Sequence, residues 1–315
     1  MATKTRRRPA PKRPVQAPKK RTEPPRFPRW LPWLVTAVLV AGAAAGAFLL
    51  AKQQAQSGGE GPAAATGGLP DTPDYHSLLV APGDPRHILL GTHAGLYEST
   101  NGGLAWKRVA LEGQDAMNLA SSEGETVWTA GHEVFAKSSD SGATWTDVRP
   151  EGLPSLDIHG FAVDPNDPGR LHAAVAGQGL YRSSDGGTSF ELVSKEVGGG
   201  VMALAVTPDG RILAGDMQQG LLASEDGGKT WELVIRAGLM GLAVNPDDPE
   251  TVVATGPGIL LSRDGGRNWD QVLALDQGAG PVAWSPSEPN VAYVVGFDKA
   301  LYKTEDGGGT WRAIA

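Results

Sequence analysis

Six histidines and, beyond the initiator, four methionines carry the metal-binding chemistry of this 315-residue chain, which has no cysteine. Eight of these ten side chains fall at corresponding places of an internal repeat. Eight residues before each of six regularly spaced Asp or Asn positions stand His93, His132, Gly177, Gln218, Gly256 and Asp298, with Met217 beside Gln218. A second repeat position holds His76, Met117, His159, Met202, Met240 and Gly280. Thioether and imidazole suit Cu(I), and a chain without thiols has to use them. Copper is therefore the cofactor expectation, with His76, Met117, His159, His132, Met202 and Met240 as candidate ligands. The competing reading has Met filling irregular gaps and His hydrogen-bonding a loop. Both stay open here.

The same loops carry carboxylates. A glycosidase needs one carboxyl as acid and a second as base or nucleophile, and Asp115, Glu133, Glu151, Asp157, Glu196, Asp276 and Asp298 are available. Glu133, Asp157 and Asp298 are the weak catalytic candidates. An acidic surface offers such a set in any case, so solvated side chains are the alternative. His93, His132, Gln178, Gln218 and Asp298 form the expected ligand-binding face.

What positions these residues is a short pattern that recurs six times: STNGGLAW (99–106), SSDSGATW (138–145), SSDGGTSF (183–190), SEDGGKTW (224–231), SRDGGRNW (262–269) and TEDGGGTW (304–311). Its key positions, Asn101, Asp140, Asp185, Asp226, Asp264 and Asp306, are 39, 45, 41, 38 and 42 residues apart. That period suits a four-stranded propeller blade. Asp-Gly-Gly pairs a polar turn former with glycine for positive φ, so each copy reverses the chain. The carboxylate and the Ser or Thr hydroxyl can bond backbone N–H groups inside the turn. Trp106, Trp145, Phe190, Trp231, Trp269 and Trp311 then place a large ring in the next strand. A single carboxylate per copy argues against calcium, which takes six to eight oxygens.

These octamers resemble the Asp-box (BNR) motif of sialidases, sortilin-type receptors, xyloglucanases and photosystem II assembly factors. The resemblance covers residues 75–315 and implies an all-β, six-bladed propeller of four-stranded blades. It implies little about activity, because those families share the box and not the chemistry. Sialidases of this class use three Arg, a Tyr nucleophile with its Glu, and an acidic Asp. Here Arg149 and Arg236 are the clear loop-face arginines, Tyr97, Tyr181 and Tyr302 repeat at one strand position as packing residues do, and Tyr75 alone stands apart. Xyloglucanases are far longer, with two propellers around a cleft. No residue compels an enzyme, and a glycoside hydrolase is the alternative to a binding or assembly platform.

Each repeat also reads as strand A, turn, strand B, turn, strand C, box, strand D; blade 3 runs IHGFAVDP, DPGR, LHAAVAG, QG, LYRSS, DGG, TSFELV. Hairpin order puts the A–B and C–D turns at one end of a blade and the B–C and D–A connections at the other. The boxes are C–D turns, so the histidines and candidate carboxylates share the opposite end. First and last repeats are in the same phase, so no strand is expected to be exchanged to close the ring.

The amino-terminal quarter has a different character. Residues 1–29 hold eleven Lys or Arg against Glu23 alone, while the rest of the chain carries a net charge of −17. Leu31–Ala51 is a 21-residue run without a charged side chain, preceded by Trp30 with Trp33 near its start. That length spans a bilayer, and the basic flank keeps residues 1–29 cytoplasmic. The expectation is a disordered basic tail (1–29), one uncleaved transmembrane helix (30–52), a flexible linker (53–74) and an extracytoplasmic propeller. The tail then serves topology and not nucleic-acid binding. The expected partners are the membrane and a protein, glycan or metal on the loop face.

Overall fold

Residues 66–121, 124–197 and 199–314 are described by a computed structural model. The expected basic tail and membrane segment lie outside them; among the described residues no helix is long and apolar enough to cross a membrane.

The described residues form twenty-five strands in six antiparallel sheets. Blade 1 contains β2 (Ser77–Val80), β3 (Ile88–Thr92), β4 (Gly95–Ser99) and β5 (Ala105–Ala110), and β1 (Thr66–Gly67) pairs with β5 at its outer edge. Blade 2 contains β6 (Asn118–Ser121), β7 (Val127–Gly131), β8 (Val134–Ser138) and β9 (Thr146–Asp147). Blade 3 has β10 (Ile158–Asp164), β11 (Asp167–Val175), β12 (Gly179–Ser183) and β13 (Glu191–Ser194). In blade 4 the strands are β14 (Val201–Val206), β15 (Ile212–Asp216), β16 (Gly220–Ser224) and β17 (Glu232–Ile235). Blade 5 runs through β18 (Gly241–Val244), β19 (Val252–Thr255), β20 (Gly258–Ser262) and β21 (Asp270–Ala274). The last blade is β22 (Ala279–Trp284), β23 (Ala292–Gly296), β24 (Leu301–Thr304) and β25 (Arg312–Ala313).

Each blade takes its four strands from contiguous sequence in simple order from inner to outer strand, and β1 is added outside β5 in blade 1. The first strands of successive blades touch all the way round, and β2 also meets β22, so the ring is closed. Among the described residues, closure uses no exchanged strand. The second strands β3, β7, β15 and β23 are buried at every position, as continuous apolar runs with both faces covered must be. The outer strands β17 and β21 have no buried position, and their sequences mix in charge.

Six apolar clusters occupy the six seams between blades. Leu78, Ile88 and Trp106 of blade 1 pack with Ala283, Tyr293 and Leu301 of blade 6. Trp128 and Phe135 of blade 2 pack with Phe161 and Leu171 of blade 3. Burying each such side chain favours the closed ring by about 1.5–3 kcal/mol.

The boxes staple those seams. In blade 2, Ser138 Oγ donates to Asp140 Oδ1 at 2.7 Å and accepts from Gly142 N at 2.8 Å. Asp140 then accepts Thr144 N and Thr144 Oγ1 at 2.8 and 2.6 Å. Trp145 Nε1 donates to Gly142 O at 3.0 Å, and the same indole-to-glycine bond recurs at Trp106, Trp231, Trp269 and Trp311. The Phe190 ring has no N–H to give. At Gly228, φ is +90°, and a Cβ would lie 2.3 Å from Leu180 Cδ2 of the preceding blade. Glycine therefore lets each box turn press against its neighbour.

Residues 66–74, which composition assigns to the flexible linker, belong to the propeller. β1 extends blade 1, Tyr75 Oη donates to Pro70 O at 2.7 Å, and Lys299 Nζ of blade 6 reaches Asp71 Oδ1 at 2.8 Å. A Gly- and Pro-rich segment reads as linker when its partners come from the far end of the sequence.

Candidate functional site

The end of the ring opposite the boxes brings together four histidines and three aspartates from blades 1–3. The construction repeats. Blade 1 supplies Asp74 and His76 just before β2 and His93 in the β3–β4 turn. Blade 2 supplies Asp115 before β6 and His132 in the β7–β8 turn, and blade 3 supplies Asp157 and His159 at the start of β10.

Local backbone features aim these side chains. The His93 turn is tied by Ala94 N donating to Thr92 Oγ1 at 3.0 Å, and His93 N donates to Asp74 Oδ1 at 3.0 Å. The His132 turn is a tight reversal with Glu133 at φ +60°. Gly131 lets the Asp115 segment lie against it, since a Cβ there would meet Asp115 O at 2.2 Å. The register of β10 against β11 shifts between Ile158 and Gly160, at the position of His159. Such an irregularity re-aims one side chain.

The donor atoms form three linked groups. In the first, His76 Nε2 is 2.9 Å from His93 Nδ1 and 3.4 Å from Asp74 Oδ1, while His93 Nδ1 also bonds Asp74 Oδ2. In the second, Asp115 Oδ2 lies 3.3 Å from His93 Nε2 and 2.5 Å from His132 Nδ1. In the third, His132 Nε2, His159 Nε2 and Asp157 Oδ1 are separated by 3.1, 3.0 and 3.0 Å. Each bridging imidazole presents one nitrogen to a terminal group and the other to Asp115.

Burial grades across the cluster. The Asp115 side chain is 6% exposed and its Oδ1 has no hydrogen-bond partner. Asp157 is 44% exposed. The hydrogen bond to Asp115 and the Asp157 carboxylate 3.0 Å away raise the His132 pKa to about 10. Burial pushes His76 the other way, down to about 4, against the attraction of Asp74. His93 feels the same burial, but its bond to Asp74 and the charge of Asp115 outweigh it and raise its pKa. Asp157 is driven well below the usual carboxylate range by the His132 and His159 imidazoles, each 3.0 Å from its Oδ1. Unlike charges separated by a few ångströms in a partly desolvated site set these directions.

The other sequence candidates are scattered. Met117 is buried directly before β6, whereas Met202 and Met240 are half-buried at the corresponding places of blades 4 and 5. Gln178 and Gln218 are exposed in their turns. Asp298 accepts Tyr302 Oη at 2.6 Å and Ala300 N at 3.1 Å, so it braces its own hairpin. Glu133 is exposed beside His132. His87 pairs with Glu98 at 2.8 Å in the A–B turn of blade 1, and His172 is buried within β11. Asp74 is the member that sequence reasoning left in the linker. Asp74-x-His76, Asp115-x-Met117 and Asp157-x-His159 place an Asp two residues before that position in three consecutive blades, a signal that could have found it.

A closed ring of Asp-box blades with one unequal, polar end defines a BNR-type propeller. The chain belongs to the family described as photosynthesis system II assembly factor YCF48, whose model matches residues 78–217 and 212–315. No curated protein matches the chain. Among solved structures it resembles one described as YCF48 bound to D1 peptide, at 21% identity and TM-score 0.51, covering 81% of this chain and 85% of that one. It is similar to YCF48 from Cyanidioschyzon merolae at 18% identity and TM-score 0.51, over 80% of this chain and 88% of that chain. The GH74 xyloglucanase from Xanthomonas campestris matches at 20% identity and TM-score 0.57, over 80% of this chain and only 46% of the enzyme. At these identities the likeness concerns the fold.

Proposed function

We propose that this chain is a membrane-tethered, extracytoplasmic platform that binds a protein or peptide segment through the loop end of its propeller. Family membership across the whole ring carries the reading. A related propeller has been solved with a peptide bound, and in this chain the box end already spends its polar groups on its own turns. The loop end keeps unrepeated, partly exposed side chains, which is where a scaffold of repeats places function. The charge-free run 31–51 behind a basic tail supplies the tether.

Photo-crosslinking groups placed at Gln178, Gln218 and Asp298 of the full chain in its native membrane should capture one defined protein partner. The same groups at Lys229 and Arg267, beside the boxes, should not. Equal capture from both ends, or none, defeats the platform reading. An alkaline phosphatase fused at the carboxyl terminus should be active outside the cytoplasm.

A glycoside hydrolase is the second reading, favoured by the likeness to xyloglucanases. A catalytic acid has to hold its proton near neutral pH. Asp157 is pushed the opposite way by two imidazoles. Hydrolysis of xyloglucan or aryl glycosides that disappears with Glu133→Gln or Asp298→Asn would establish the enzyme instead.

A further inference from the structure

We propose that the Asp/His cluster binds two divalent transition-metal ions, zinc or copper(II), at its two ends, with Asp115 between them as the shared carboxylate that orients both bridging histidines. The platform reading does not enter this argument, which rests on the donor atoms alone.

The third group shows the geometry best. Its two nitrogens and one oxygen form a nearly equilateral triangle with edges of 3.0–3.1 Å. Zinc bonds imidazole at about 2.0–2.1 Å, so an ion in contact with all three atoms sits about 1 Å out of their plane. Ligand triangles around small cations have this size. Asp157 Oδ1 makes no hydrogen bond of proper geometry although both nitrogens stand at 3.0 Å. The three atoms thus converge on one point, and an ion there would take the place of the proton that His132 Nε2 shares with His159 Nε2. Asp74, His76 Nε2 and His93 Nδ1 repeat the arrangement at the other end.

The centre of the cluster differs. Asp115 touches the far nitrogen of each bridging ring, His93 Nε2 and His132 Nδ1. A histidine that ligates a metal through one nitrogen donates the other N–H to a carboxylate. Asp115 can accept from both rings at once, which fixes two tautomers with a single buried side chain. Its side chain is 6% exposed and is held through Oδ2 by both rings, while Oδ1 is left without a partner. Each terminal ion then has two imidazoles and one carboxylate, leaving open positions for water or a partner's side chain. Such a nitrogen–oxygen set favours zinc and copper(II) over Cu(I), which prefers thioether and thiolate.

The full chain in detergent, stripped with chelator and dialysed against zinc or copper(II), should retain two ions by elemental analysis. His76→Ala should leave one, His159→Ala the other, and the double variant none. Asp115→Asn should keep two ions but weaken binding about ten- to a hundredfold. Circular dichroism and the melting temperature of each variant establish that the ring is intact. If a variant does not fold, the wild-type stoichiometry decides alone. Less than about a tenth of an ion per chain overturns the proposal and leaves a metal-free hydrogen-bond network. Loss of both ions in either single variant also overturns it, since one shared centre is then present. Cu(I) held by the double variant under anaerobic competition would return the site to the methionines.

Discussion

The two ends of this propeller use polar side chains in opposite ways. At the box end, six copies of one turn each satisfy themselves within eight residues and lean on the preceding blade. At the loop end, seven side chains from three blades meet one another across up to 86 residues of sequence, from Asp74 to His159, and among the described residues blades 4–6 contribute none. Repetition with local closure is what a ring needs to hold its shape. Asymmetry with long-range closure is what a site needs, because it breaks the equivalence of the blades.

The largest effect that would break this comparison is at the seams. Trp106→Ala removes an indole that is 2% exposed between blades 1 and 6, and should lower stability by about 3–5 kcal/mol in denaturant unfolding. A change below about 1 kcal/mol would mean that the ring does not close through this seam. Next comes Gly228→Ala, which adds a Cβ 2.3 Å from Leu180 in a left-handed conformation; it should cost about 2–4 kcal/mol while leaving metal stoichiometry unchanged. Ser183→Ala leaves the buried Gly187 N–H without its acceptor and should cost about 1–3 kcal/mol.

Additivity sharpens the contrast further. Ser183→Ala and Ser262→Ala lie in separate boxes and should add within about 0.5 kcal/mol. His132→Ala and Asp115→Ala share a hydrogen bond of 2.5 Å, and in chelator they should couple by about 0.5–3 kcal/mol. Equal additivity at both ends would erase the distinction between them.

The smallest effect is with pH. Asp140, Asp185, Asp226, Asp264 and Asp306 are each lowered to about 2, at Asp140, Asp185 and Asp306 chiefly by the side-chain hydrogen bond at the fourth following residue, Thr or Ser, and at Asp226 and Asp264 chiefly by the backbone N–H there, of Thr230 and Asn268. A depressed folded-state value means that their contribution is present above the ordinary Asp value of 3.8 and is lost as pH falls through about 2. Asn101 has no such proton to take. Asp140→Asn should therefore flatten the acid limb of the unfolding midpoint, while wild-type and variant curves run parallel above pH 5. Curves that diverge above that point would show that the box carboxylates do not act through ionisation.

Much of the box end is legible in the sequence because its causes are local. Ser, Asp, Gly, Gly, Thr and Trp within one octamer contain both partners of nearly every bond they form. The opposite placement of histidines and boxes follows from hairpin alternation alone. The cluster itself was half legible. His76, His93, His132 and His159 stand out by repeat position, but Asp74 sits in a Gly- and Pro-rich stretch that composition reads as linker. Asp115 and Asp157 are recognisable as carboxylates without their role as histidine partners. Met202 and Met240 share the repeat position of His76, yet they belong to blades 4 and 5, which among the described residues add no His, Asp or Glu to the cluster.

Sequence by itself determined the number of blades, the turn that starts each outer strand and the end on which unequal residues gather. Those follow from spacing and from bonds closed within a few residues. Only the tertiary structure decided which of the unequal residues meet. The packing of successive blades sets 1, 2 and 3 side by side and brings atoms far apart in the chain about 3 Å from one another, a distance that no local pattern encodes.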